Sequence, residues 1–175
     1  MIVLLIAAQL AAASLDTAPA ILEPPQQGRP RAIEVSDWYS RRLTLHRRTA
    51  YAIIPMFAFQ AAAGKQIWDY GNRAPRWART GHRIGATAIA AAFSVNVVTG
   101  VWNLWDSRGT PEGRGLRYLH AASMLAATTG FTVAGAYLSE KAETDSDMRK
   151  LHWQVAISSM GVTVVSGVLM KILND

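Results

Sequence analysis

The sequence predicts an all-α protein, an integral membrane four-helix bundle with up-down-up-down topology. Three observations predict it. Four apolar stretches, near 49–64, 84–105, 118–139 and 151–170, punctuate a chain of 175 residues that is 50% hydrophobic. The links between them, 65–83, 106–117 and 140–150, are short, polar and rich in Gly, Pro or charge, which makes neighbouring helices antiparallel. All six Trp (Trp38, Trp68, Trp77, Trp102, Trp105 and Trp153) fall near the ends of these stretches or in the links, where amphipathic rings meet lipid headgroups.

Taken in order, the chain opens with "MIVLLIAAQLAAAS", residues 1–14, an apolar run with the length of a signal-peptide core and too short to span a bilayer. It lacks the usual positive leader, so an uncleaved surface helix is the other reading. Residues 15–42 form a Pro-rich tether, "DTAPAILEPPQQGRPRA", followed by an interfacial lead-in, "DWYSRRLTLHRR". The bundle itself is expected over 43–173. A span needs about 20 apolar residues, with a range of about 17–25. The last three stretches meet that length. The first is shorter and holds Pro55, but Leu43–His46 can extend it, and Pro is tolerated in a bilayer helix.

The formal charge is +6. The basic excess lies in loops flanking the apolar runs rather than along one helical face, which makes it a topology signal and argues against nucleic-acid binding. Lys65, Arg73, Arg76, Arg79 and Arg83 against Asp69 assign the first link to the cytoplasm, with the N-terminus outside a bacterial inner membrane. Arg41, Arg42, Arg47 and Arg48 crowd the opposite side. The absence of Cys excludes disulfides, thiolate zinc, iron–sulfur ligation and covalent haem attachment.

The chemistry is carried by histidine. The chain holds four, and each stands at the entrance of a different span: "LHRRTAY" (His46), "GHRIGAT" (His82), "YLHAASM" (His120) and "LHWQVAI" (His152). Because the spans alternate in direction, His46 and His120 share one leaflet, and His82 and His152 the other. Two imidazoles per leaflet on diagonal helices supply the two axial ligands of a haem iron. Zinc would find itself two ligands short, with no Cys and no inward carboxylate. A single interfacial His would be ordinary; one per helix at matched depth points to ligation.

Glycines sharpen the pattern. Gly64 and Gly100 follow their histidines by eighteen residues, and Gly135 and Gly167 follow theirs by fifteen. Eighteen residues are five turns, returning to the same helix face about 27 Å away; fifteen land about 60° off it. Each Gly is thus expected near the opposite histidine pair, where a missing Cβ makes room for a planar cofactor. "NVVTGVW" in the second span is echoed by "TVVSGVL" in the fourth, and "FQAAAG" in the first by "FTVAG" in the third, which marks a parallel duplication. Arg47, Arg48, Arg83, Arg117 and Lys150 lie within three residues of the histidines, as expected of cations that pair with haem propionates, although basic residues are common at span ends.

One His at the entrance of each of four consecutive spans, paired first with third and second with fourth, resembles the core of the cytochrome b561 family over about 43–173. That family comprises dihaem carriers that pass electrons across membranes. The resemblance implies two haem b groups, one held by His46 and His120 and the other by His82 and His152. Only the four core spans are expected, without the outer helices of the family's eukaryotic members, so no ascorbate site is carried over. The function expected is transmembrane electron transfer between a donor and an acceptor (quinol, small reductant or redox protein), with the lipid bilayer as surroundings. A homodimer or a larger respiratory complex is compatible. The alternatives are a haem b anchor subunit of a dehydrogenase or quinone oxidoreductase complex, and a haem-free, His-lined membrane protein.

Overall fold

The computed structural model describes residues 36–174, and among these it is all helical with no strand. The expected signal-peptide segment 1–14 and the tether as far as 35 lie outside the described residues. Helix α1 (Asp37–Tyr70) starts at Ser36, whose hydroxyl accepts the Tyr39 amide at 3.2 Å, with Asp37 complementing the helix dipole in the first turn. It stops at Gly71, whose φ of 55° suits a residue without a Cβ. A short 3₁₀ turn (Gly71–Arg73) and Pro75 lead into α2 (Arg76–Asp106). Gly113, at φ 63°, precedes α3 (Arg114–Thr132), which continues into a π-helical turn over Val133–Leu138. The short α4 (Lys141–Thr144) ends at Asp145, whose carboxylate caps α5 (Ser146–Asn174) by accepting the Asp147 and Met148 amides at 2.8 and 3.1 Å.

The helices overrun the apolar stretches at both ends, except the third, which stops at Leu138. The first link, expected at 65–83, shrinks to 71–75, because Lys65–Tyr70 and Arg76–Arg83 continue the helices on either side. Hydropathy marks how much of a helix is apolar, not where its backbone hydrogen bonds stop. The lead-in through 42 is likewise the first turns of α1.

Three helical segments are long and apolar enough to cross a membrane: Arg76–Asp106, Arg114–Leu138 and Ser146–Leu173. Helix α1, expected as a fourth span, is not among them. It has length to spare at 34 residues, but Arg48 and Lys65 bracket an uncharged stretch of only sixteen, which includes Pro55 and Gln60. The packing is inverted relative to a water-soluble protein. Leu125 and Val101 are 67% and 64% exposed, whereas Ser166 and Asn103 are 6% and 8% exposed. An apolar exterior, with polar side chains such as these kept inside, suits a hydrocarbon solvent.

Side-chain contacts give the directions of packing. His46 meets Thr99 and Gln60 meets the His82 carbonyl, so α1 and α2 run antiparallel. His120 meets Ser166 and His152 meets the Ala134 carbonyl, so α3 and α5 do too. Small residues permit these approaches. A Cβ on Gly81 would lie 2.6 Å from the Phe59 ring, and one on Gly85 would lie 2.9 Å from the Gln60 amide. This G-x-x-x-G spacing is a close-packing device for bilayer helices. Gly130 plays the same part for α3, since a Cβ there would overlap the Ser159 hydroxyl.

The apolar core lies midway along the helices. Ile53, Phe57, Ile89 and Phe93 are buried together, with Phe131 packed edge-on to Phe93 at 5.0 Å between ring centres. Phe93→Ala opens a cavity among helices α1, α2 and α3. By analogy with core truncations elsewhere it should cost about 3–5 kcal/mol, read as a lowered midpoint of thermal unfolding in detergent.

Candidate functional site

Two imidazole pairs sit at opposite ends of the Phe cluster. His46 of α1 faces His120 of α3, with ring centres 6.3 Å apart and planes at 77°. His82 of α2 faces His152 of α5, at 6.2 Å and 61°. The four rings are half-buried. The partners are those the alternating directions of the helices predict.

What holds each ring is specific. His46 Nδ1 lies 3.0 Å from Thr99 Oγ1. That hydroxyl also lies 2.8 Å from the Val95 carbonyl, and with its proton directed there it accepts from His46. In that arrangement His46 carries its proton on Nδ1 and leaves the Nε2 lone pair free. His152 reaches the same tautomer by another route, because its Nδ1 donates to the Ala134 carbonyl at 2.9 Å, within the π-helical turn of α3. Such widened turns recur at functional sites. His120 Nδ1 lies 2.8 Å from Ser166 Oγ. His82 Nδ1 is buried without a hydrogen-bond partner.

The glycines divide into two kinds. Gly64 and Gly100 do stand beside the opposite pair, as their spacing predicts. Their immediate neighbours are imidazoles: a Cβ on Gly64 would lie 3.4 Å from His82 Cε1, and one on Gly100 would lie 3.2 Å from His46 Cε1. At Gly135 and Gly167 nothing stands within 4 Å of where a Cβ would be. Beside His120, a groove of about 550 Å³ between α3 and α5 is lined by Leu116, Leu119, Ser123, Val162, Val165 and Ser166. That is within the range of about 300–1,000 Å³ usual for small-molecule and cofactor sites.

Of the basic residues expected here, Arg47, Arg83 and Lys150 are exposed. Arg117 is half-buried and clasps the α2–α3 link, donating to the carbonyls of Glu112 (2.6 Å), Ser107 (3.2 Å) and Thr110 (2.5 Å). Sequence reasoning passed over Arg42. One turn before His46, it pairs with Asp106, donates to Asn103 Oδ1 at 3.4 Å and lies 4.9 Å over the Trp102 ring. The amide nitrogen of Asn103 is buried without a partner, a free donor one turn beyond Thr99. The missed signal was the polar series Asn96, Thr99 and Asn103, spaced along one face of an otherwise apolar helix.

Among the described residues, no three His, Cys, Asp or Glu side chains gather into one group. The donor sets available are pairs of imidazoles, which suit a metal that needs two protein ligands rather than a tetrahedral ion that needs three or four. Compared with protein-family models, curated proteins and solved structures, the chain gives no match.

Proposed function

We propose that this protein is a transmembrane electron carrier, an up-down-up-down four-helix bundle that holds two b-type haems, one near each membrane face. The separation of the facing imidazoles carries the reading. With a metal–imidazole bond of about 2 Å, as for other His-ligated metals, and about 1.1 Å from nitrogen to ring centre, two axial imidazoles stand roughly 6.2 Å apart. The pairs are at 6.3 and 6.2 Å. Three of the rings are engaged through Nδ1, as ligating histidines usually are. The open positions at Gly135 and Gly167, the groove beside His120 and the unpartnered Asn103 amide further suit a flat group with anionic edges.

In this reading His46 and His120 hold one haem and His82 and His152 the other. A haem held by these imidazoles would supply reversible one-electron chemistry. The chain orients the imidazoles through Thr99, Ser166 and Ala134, keeps water out with the apolar helices, and offers Arg42 and Asn103 as cationic and amide donors at one mouth. The purified protein, produced with ample haem supply, should show the reduced-minus-oxidised spectrum of a b-type cytochrome and two haems per chain by pyridine haemochrome. A colourless protein would refute the proposal.

For orientation, we propose that α1 crosses the bilayer as a fourth span with its N-terminus outside. The helix ends that carry Lys65, Arg73, Arg76, Arg79 and Arg83 then face the cytoplasm. Four crossings return the C-terminus to the outer side. A periplasm-dependent phosphatase fused after Asp175 should be active, and a fusion active only as a cytoplasmic reporter would reverse the assignment.

A further inference from the structure

We infer that the hydroxyls of Thr99 and Ser166 are positioning residues that set the tautomer and electron-donating strength of the His46/His120 pair alone. The inference rests on the haem ligation proposed above. It begins from the internal duplication: "VVTGVW" in α2 and "VVSGVL" in α5 place a hydroxyl residue immediately before a glycine in each half. Thr99 faces His46 and Ser166 faces His120, at 3.0 and 2.8 Å. Both hydroxyl residues are buried, at 6% exposure each, so water does not compete for the imidazole proton.

The duplication does not extend this chemistry to the other pair. There the matching steps are Ala63–Gly64 and Ala134–Gly135, which carry no side-chain hydroxyl. His152 takes the Ala134 carbonyl, and His82 Nδ1 has no partner. Helix α1 has no counterpart of the π-helical turn that accompanies the Ala134 contact in α3. The two pairs are therefore built unequally, and side-chain substitution can reach the outer support of only one.

The physical consequence has a definite sign. An acceptor on Nδ1–H makes Nε2 the stronger donor, which favours the more highly charged metal and lowers its reduction potential. Thr99→Val keeps the branched shape and removes the hydroxyl; Ser166→Ala removes the hydroxyl at the facing ring. Each should raise the midpoint of the His46/His120 haem by about a tenfold change in the reduction equilibrium, about 59 mV for one electron. The His82/His152 haem, assigned by its absence in His82→Ala, should keep its midpoint.

The experiment is an optical redox titration of the full chain in detergent, with haem counted in every sample and low-temperature EPR reporting ring orientation. A shift confined to the His46/His120 haem, reversed in Thr99→Ser, supports the inference. Selective loss of that haem in Thr99→Val, with Thr99→Ser retaining it, supports it too. Two haems with unchanged midpoints and EPR in both variants would overturn it while leaving the proposed function standing, as would a shift in the other haem. A wild-type protein without haem would overturn the proposed function and this inference together.

Discussion

Replacing His82 by Ala should leave a protein with one haem instead of two, and His152→Ala should give the same spectrum. His46→Ala and His120→Ala should each remove the other haem. The four variants then fall into two indistinguishable couples, because an iron that loses one of two axial imidazoles loses half of its protein bonds. The expected couples follow from the facing rings at 6.3 and 6.2 Å. Haem stoichiometry and redox midpoints of the four purified variants check this. Normal expression of His82→Ala with both haems retained would discredit the pairing.

Gly100→Leu should be nearly as severe as loss of a histidine, and at the pair that lies far from His82, the histidine of its own helix. A Cβ at Gly100 already meets His46 Cε1 at 3.2 Å, and Leu adds three carbons beyond that contact. The ring is anchored to Thr99, the preceding residue on the same helix, so it cannot swing away without losing that bond. Overpacking of this kind costs about 1–3 kcal/mol in ordinary cores; here it falls on an imidazole proposed as a haem ligand. The expected result is loss of the His46/His120 haem with retention of the other. Gly64→Leu should give the reverse, through His82 Cε1 at 3.4 Å. Gly167→Leu separates cofactor from protein packing. Nothing within 4 Å opposes a Cβ there, so the helices should tolerate it while haem occupancy falls. Full occupancy in Gly167→Leu would show that no porphyrin passes that position.

Much of this site can be read from residue order. Four histidines, one at each helix entrance, need only alternating helix direction to pair as the structure pairs them. The glycine spacings place Gly64 and Gly100 beside the opposite pair because whole helical turns preserve a face. What they admit could not be read this way, since an imidazole from the adjacent helix is a tertiary neighbour. Arg117 illustrates a similar limit. Its distance in sequence from His120 is right for a propionate partner, yet three carbonyls of the α2–α3 link converge on its guanidinium. Arg42 lies four residues before His46 and emerges only when Asp106, Asn103 and Trp102 close around it.

By itself, residue order determined the helical class, the apolar segments, the position of Trp at their ends and the identity of the imidazole partners. These depend on one-dimensional quantities: period, run length and direction. Only the tertiary structure decided where the helices end and which atom supports each ring. A hydroxyl at 3.0 Å, a carbonyl in a widened turn and a nitrogen with no partner are differences of one bond, made by residues distant in the chain. Hydrogen bonds discriminate over tenths of an ångström, and no periodicity in a sequence specifies position that finely.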